Sequence, residues 1–273
     1  MLVELTYACK MGCKHCLSDC KPDGENMSVD TLKDVLEFMS KNNIIPWIFS
    51  GGEMFEHPDI INILKTIEEY WDGYSKHNRL KFPIMFITNG RELVRNQDIF
   101  NLVSDIQKRH SKRFVQIQIT DDPRFYPDPL TDKEKYRLNK LSAIIEPVPS
   151  NLTDKNKCLY PQGRALENYP DADWNTIAPR CANCRLIAKQ DPNISLSYLV
   201  ETLLNHGKMC TPQVSPDGHI KVGESALCPV VASIYDRSSD IVTKIRQCNC
   251  QACKIPWERL KESNKMAYKI LTD

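Results

Sequence analysis

Three cysteines stand close to the start of the chain: Cys9, Cys13 and Cys16, in the stretch CKMGCKHC, at C-x3-C-x2-C spacing. Thiols this close together suit three chemistries. A structural zinc ion takes four ligands, most often from paired C-x2-C units. Cys13 and Cys16 make one such pair, Cys9 is an awkward third, and Cys20 or His15 would have to complete the set. A disulfide framework suits a short secreted domain, but this sequence opens with no apolar signal segment. A cubane iron–sulfur cluster held by only three thiolates leaves one iron open to bind substrate or cofactor.

The last reading asks for a partner site, and the stretch IPWIFSGGEMFEHPD supplies a candidate. Residues 45–49 form an apolar, partly β-branched run ending in Ser50-Gly51-Gly52-Glu53, and His57-Pro58-Asp59 then opens a helical pattern. The order is strand, tight turn, helix. Two glycines let the backbone pass close to a ligand with unusual dihedrals, and the adjacent carboxylate can accept hydrogen bonds from an ammonium group. Alone, such a turn is an ordinary βα connection; its place one βα unit after the cysteines gives it meaning.

Together these motifs resemble those of radical S-adenosylmethionine (SAM) enzymes. The resemblance implies a [4Fe-4S] cluster on Cys9, Cys13 and Cys16, with SAM chelating the fourth iron through its amino and carboxylate groups. It implies that Gly51, Gly52 and Glu53 form the turn that meets the SAM amino group. His15 stands where the family usually has an aromatic residue packing near the adenine.

The elements that must position these groups alternate along the chain. A strand over 2–6 leads into the cysteines. A helix begins at Ser28, with Leu32, Val35, Leu36 and Met39 on one face. Further strands are predicted over 45–49, 83–88, 114–120 and 143–148, with helices over 59–70 and 92–108. Repeated βα units build a parallel sheet whose functional loops gather at the carboxyl ends of its strands. The expected fold is α/β, and the resemblance implies a partial (β/α)6-type parallel barrel; the connection from Val148 to Tyr160 is too short for a crossover helix, so either the barrel is trimmed or its last strand comes from elsewhere in the chain. Thr88 and Asn89 end the third of these βα strands, and Gln116, Gln118 and Thr120 share one side of the next. A polar stripe inside a barrel needs hydrogen-bond partners, which a bound ribose would provide; on an edge strand it would face solvent. Thr88, Asn89, Gln118 and Thr120 are therefore candidate SAM contacts. PQGRA resembles a segment that lies near the adenosine in relatives with an extra C-terminal cluster domain, which assigns Gly163 and Arg164 to the cofactor; a turn glycine followed by a surface arginine is the plain alternative. Asp121, Asp122, Arg124 and Tyr126, in DDPRFY after the fourth strand, are candidates for substrate binding, although Asp-Asp-Pro is also a routine turn.

The C-terminal third leaves this alternation. A Pro-Asp-Gly turn between two short alternating segments signals a hairpin, and CNCQAC follows it. The order resembles the twitch domain of radical SAM enzymes, a smaller version of the SPASM domain, in which a hairpin and a helix hold one auxiliary [4Fe-4S] cluster. The resemblance implies Cys210, Cys228, Cys250 and Cys253 as ligands. Gly223, not Gly218, keeps the family's G-x4-C spacing, and Cys248 could replace Cys250. A zinc ribbon on Cys181, Cys184, Cys250 and Cys253 is the structural alternative. Cys20 and Cys158 fit as small hydrophobic thiols. The expected division is a barrel over residues 1–190 and an auxiliary domain over 191–273.

Composition excludes little but agrees. Lysine and arginine number 36 against 35 acidic residues, which gives no support for a nucleic-acid or membrane-surface partner. Twelve cysteines with no export signal point to metal or redox chemistry in a reducing, cytoplasmic setting. The resemblance implies an enzyme that takes an electron from a small flavodoxin- or ferredoxin-like donor, cleaves SAM and removes a hydrogen atom from its substrate. A maturase that oxidises or cross-links a residue of a small precursor peptide is the first expectation, served by a separate peptide-recognition protein because the sequence starts directly at the barrel. A dehydrogenase or epimerase of a sugar-like or amino-alcohol substrate is the second, and a non-catalytic metal-binding module the third.

Overall fold

The computed structural model describes residues 1–147, 163–168, 183–205, 210–223 and 228–248, with isolated positions between 261 and 269. The chain forms two compact units that interleave in sequence: Met1–Cys13, Cys20–Val148 and Val214–His219 in one, Lys14–Asp19, Pro149–Gln213 and Ile220–Asp273 in the other.

The first unit is built on the strands β1 (Leu2–Glu4), β2 (Trp47–Ser50), β3 (Ile84–Thr88), β4 (Val115–Thr120) and β5 (Ile144–Glu146). They pair in parallel in the order β5-β4-β3-β2-β1, with Leu2 opposite Ile48, Trp47 opposite Ile84, Ile84 opposite Val115 and Gln118 opposite Ile144. The connections are helical: α1 (Val29–Lys41), α2 (Ile60–Asn78), α3 (Arg91–Arg95), α4 (Gln97–His110) and α5 (Asp132–Asn139), with a 3₁₀ turn over Met54–Glu56. The architecture is α/β with a mostly parallel sheet, as the alternation of patterns indicates.

Local chemistry explains the element ends. The Ser28 hydroxyl accepts the Thr31 N–H and starts α1, whose Leu32, Val35, Leu36 and Met39 are buried as their spacing predicts. The single helix expected over 92–108 is two. Asn96 adopts an extended conformation (φ −91°, ψ 113°), and its side chain accepts the N–H groups of Asp98 and Ile99, capping α4 anew. A short polar side chain that can mimic the backbone ends one helix and begins the next without disturbing the apolar spacing. The core lies along alternate strand positions: Trp47 and Phe49, Ile84 and Phe86, Val115, Ile117 and Ile119 are all buried. The Gln107 amide ties α4 to the sheet by donating to the carbonyls of Val115 and Leu141. His57 joins the start of α2 to the loop before α1: its Nε2 meets the Met27 carbonyl at 2.8 Å, and its Nδ1 accepts the Asp59 N–H. Burial holds the imidazole pKa below its ordinary value.

The Pro-Asp-Gly turn closes as a hairpin. The Ser215 N–H donates to the His219 carbonyl and the Gly218 N–H to the Ser215 carbonyl, while the Asp217 carboxylate accepts from the Ser215 hydroxyl and the His219 N–H. In the second unit the described helices are α6 (Arg164–Asn168), α7 (Asn183–Gln190), α8 (Leu196–Asn205) and α9 (Ser238–Gln247). The remaining strands are β6 (Gln213–Val214), β7 (His219–Lys221) and β8 (Val230–Ser233). Leu199, Val200 and Leu203 of α8 and Ile241, Val242 and Ile245 of α9 are buried, and the Arg246 guanidinium donates to the carbonyls of Ala188 and Pro192. Among the described residues no helix is long and apolar enough to cross a membrane.

Candidate active site

The site begins where β1 and β2 end side by side. Past the paired residues, the Leu5 N–H donates to the Ser50 carbonyl, the Gly52 N–H to Thr6 and the Glu53 N–H to Ala8, so the Gly-Gly-Glu turn is laced to the backbone leading into Cys9. Both glycines are required by this contact. A Cβ on Gly51, which has φ +140°, would lie 2.2 Å from the Thr6 carbonyl oxygen. On Gly52 it would lie 2.4 Å from the Ala8 oxygen and 3.1 Å from Cys9 Cβ. The close approach these glycines permit is thus to the chain's own cysteine loop. That loop is held from its other side by the Cys9 N–H donating to Lys21 and the Thr6 hydroxyl donating to Asn26.

Glu53 is 1% exposed, and three donors converge on its carboxylate: the Phe55 N–H at 3.1 Å, the Thr88 hydroxyl at 2.6 Å and the Asn89 N–H at 2.7 Å. Burial nonetheless dominates and lifts its pKa to about 7, against the lowering by these hydrogen bonds. Thr88 and Asn89, assigned from sequence to the ligand, therefore meet Glu53 at the end of β3.

A residue the sequence reading missed connects this group to the next loop. Arg91, buried at the start of α3, donates to the Asn89 carbonyl at 2.9 Å, to the Asp128 carbonyl and to the Asp121 carboxylate at 3.2 Å, and stacks over the Tyr126 ring at 5.1 Å. Asp121 also accepts the Leu130 N–H and pairs with Lys135 at 2.9 Å. Asp122 pairs with Arg124 and accepts the Arg124 N–H, while its carbonyl accepts from Phe125 and Tyr126, making a compact turn. Of the four substrate candidates, Asp121, Asp122 and Arg124 are thus engaged in shaping the loop. Tyr126 lies under the Arg91 guanidinium; burial, then the charges of Cys13 and Glu53, push its phenol pKa up against the lowering by Arg91. Nothing in the spacing of Asn-Gly-Arg marked Arg91, because apart from Asn89 its partners Asp121, Tyr126 and Asp128 belong to the loop after β4, distant in sequence.

Gln118 and Thr120 alternate with the buried residues of β4, as expected. The Gln118 amide reaches Glu146 on β5 at 3.4 Å, and Gln116 donates to the Arg113 carbonyl. Gly163 and Arg164 lie in the second unit against Cys16, which belongs to the same unit. Cys210 is buried and Cys228 and Cys248 are half-buried. Cys158, Cys181, Cys250 and Cys253 lie outside the described residues, as does the side chain of Cys184. Among the described residues no three His, Cys, Asp or Glu side chains converge on a point for a single metal ion. A four-iron cluster takes one thiolate per iron, so its ligands surround a cubane rather than meet at one ion.

The α/β fold, with a cysteine loop after the first strand of its parallel sheet and a Gly-Gly-Glu turn after the second, is similar to that of solved structures. The solved structure of anSMEcpe with bound AdoMet and the Cp18Cys peptide aligns over 98% of this chain and 97% of that one, with a TM-score of 0.52 and 12% identity. Streptococcus suis SuiB bound to the precursor peptide SuiA aligns over 93% of this chain and 70% of its own, at a TM-score of 0.42 and 13% identity. In sequence, the antilisterial bacteriocin subtilosin biosynthesis protein AlbA of Bacillus subtilis (strain 168) is 31% identical over 65 residues, which are 23% of this chain and 14% of that protein. No family model matches the chain.

Proposed function

We propose that this chain is a radical SAM enzyme that acts on a small precursor peptide, oxidising or cross-linking one of its residues. The observation that carries the reading is Glu53: a buried carboxylate with three donors already in place, on a turn laced to the backbone of Cys9. A carboxylate has about four lone-pair sites, so Glu53 retains capacity for the N–H groups of an amine, and burial, which lifts its pKa to about 7, makes further donors to the charged form more valuable. The residues suit the cofactor pair by type: Cys9, Cys13 and Cys16 would hold a [4Fe-4S] cluster, and Glu53 would accept hydrogen bonds from the SAM amino group. When bound, this pair supplies a 5'-deoxyadenosyl radical that removes a hydrogen atom from an unactivated carbon.

The protein's own part is positioning and exclusion of water. Thr88 and Asn89 orient Glu53; Gly51 and Gly52 let its turn meet the cysteine loop; Gln118 and Thr120 offer polar groups at the end of β4. Tyr126, stacked on Arg91, is the residue of the loop after β4 that this reading assigns to the substrate. A peptide substrate is favoured because anSMEcpe, similar across nearly the whole chain, was solved with a peptide bound, and AlbA is named for bacteriocin biosynthesis. The reading includes a small flavodoxin- or ferredoxin-like electron donor, a separate peptide-recognition protein, and one auxiliary cluster on Cys210, Cys228, Cys250 and Cys253 in a C-terminal domain over 191–273.

Anaerobic reconstitution with iron and sulfide, then iron counting and assay of 5'-deoxyadenosine from SAM, tests the proposal. Iron incorporation with reductant-dependent SAM cleavage is expected. A protein that takes up iron without cleaving SAM would sink it.

A further inference from the structure

The segment that resembles an adenosine contact makes a different set of contacts. Gly163 takes a left-handed conformation, φ +55°, and a Cβ there would lie 2.3 Å from the carbonyl oxygen of Cys16 and 2.5 Å from that of Leu17. Both are backbone atoms, so a side chain could not be accommodated by a rotamer change. The next N–H, that of Arg164, donates to the Cys16 carbonyl at 3.0 Å. The Arg164 guanidinium pairs with Asp19 at 3.3 Å. One turn on, the Asn168 amide donates to the Lys14 carbonyl at 3.2 Å while its bond to the Arg164 carbonyl, at 2.8 Å, fixes it to its own helix. Ala165, between them, is fully buried. The contacts fall on Lys14, Cys16, Leu17 and Asp19, and so embrace the loop around the third cysteine from both sides.

We propose that Gly163, Arg164 and Asn168 form a clamp on the Cys16 loop that governs how firmly the iron–sulfur cluster is retained. The inference rests on Cys16 being a cluster ligand, as proposed above. A cluster leaves when its thiolates dissociate in turn, and a thiolate whose own carbonyl is pinned returns to the same position faster than it drifts away. The contacts that define the clamp are with main-chain oxygens of Lys14 and Cys16 and with the Asp19 carboxylate. The clamp residues are positioning residues, acting through the main chain of Cys16.

The test uses the full chain, reconstituted anaerobically, without SAM and without turnover. The readout is bleaching of the iron–thiolate absorption by a ferrous chelator. Asn168→Ala removes one arm of the clamp at an exposed position, Gly163→Ala drives a methyl group into the Cys16 carbonyl, and Cys16→Ala removes the ligand. Both clamp variants are expected to bleach about tenfold faster than the parent, while the thermal midpoint of metal-free Asn168→Ala stays at the parent value. Parent-rate bleaching in Asn168→Ala overturns the clamp, as does acceleration matched by an equal loss of stability in the metal-free protein. If Cys16→Ala itself retains iron as the parent does, the ligand assignment falls and takes the clamp with it. If Cys16→Ala loses iron while both clamp variants keep it, only the clamp falls.

Discussion

The carboxyl of Glu53 couples pH to both folding and binding. Its ordinary value is 4.5 and burial lifts it to about 7, so between those values the folded protein keeps a proton that the unfolded chain has released. The corresponding stabilisation is fully present below about pH 4.5 and is lost as pH rises through 7, with a slope of at most about 1.4 kcal/mol per pH unit for one proton. Glu53→Gln removes this slope, so thermal midpoints of the metal-free parent and variant should diverge in their pH dependence between pH 5 and 8; parallel curves would refute the buried, proton-holding carboxyl. An amino N–H donates most strongly to the ionised carboxylate, so SAM binding should tighten from pH 6 to pH 8 in the parent, whereas Glu53→Gln should bind roughly tenfold more weakly at pH 8. Titration calorimetry at the two pH values decides it. The importance of Glu53 was legible from its place after two glycines. Its pairing with Thr88 and Asn89 was not, because those partners are 35 and 36 residues away and only the parallel pairing of β2 with β3 brings them together.

Elements set what a single residue can do. Strands β2, β3 and β4 were readable because each alternates around large apolar residues, and their parallel order follows from intervening helices too long for hairpins. The split between α3 and α4 was hidden, since Asn96 replaces one turn of helix with a cap and leaves the apolar spacing intact. Asn96→Ala should lower stability by about 1 kcal/mol through loss of the cap, read as a shift in the denaturant midpoint; an unchanged midpoint would mean the break is maintained by packing alone. After β2, Gly52→Ala places a methyl group 2.4 Å from the Ala8 carbonyl oxygen and 3.1 Å from Cys9 Cβ. The turn and the cysteine loop must then separate. Iron content after reconstitution should drop well below the parent's, and parent-level iron would show that the two loops need not touch.

At the scale of the whole molecule, the cysteines divide between the two compact units in a way the chain order alone does not suggest. Cys9 and Cys13 belong to the first unit and Cys16 to the second, because Lys14–Asp19 groups with the later part of the chain. The expectation of an auxiliary cluster can be separated from the first site by removing that site completely. A variant with Cys9, Cys13 and Cys16 all changed to Ala should form no 5'-deoxyadenosine, and any iron it takes up must lie elsewhere. Four thiolates at Cys210, Cys228, Cys250 and Cys253 would hold about four irons, the complement of one cubane. A zinc ribbon on Cys181, Cys184, Cys250 and Cys253 would give a colourless protein with about one zinc, since a filled d shell has no such charge-transfer absorption. The proposed maturase needs the first outcome, because the substrate left after hydrogen removal must pass on an electron to end oxidised or cross-linked. Elemental analysis of the triple variant therefore tests the oxidative outcome as well as the ligands: about four irons per chain supports both, and zinc without iron removes the auxiliary cluster as the electron acceptor.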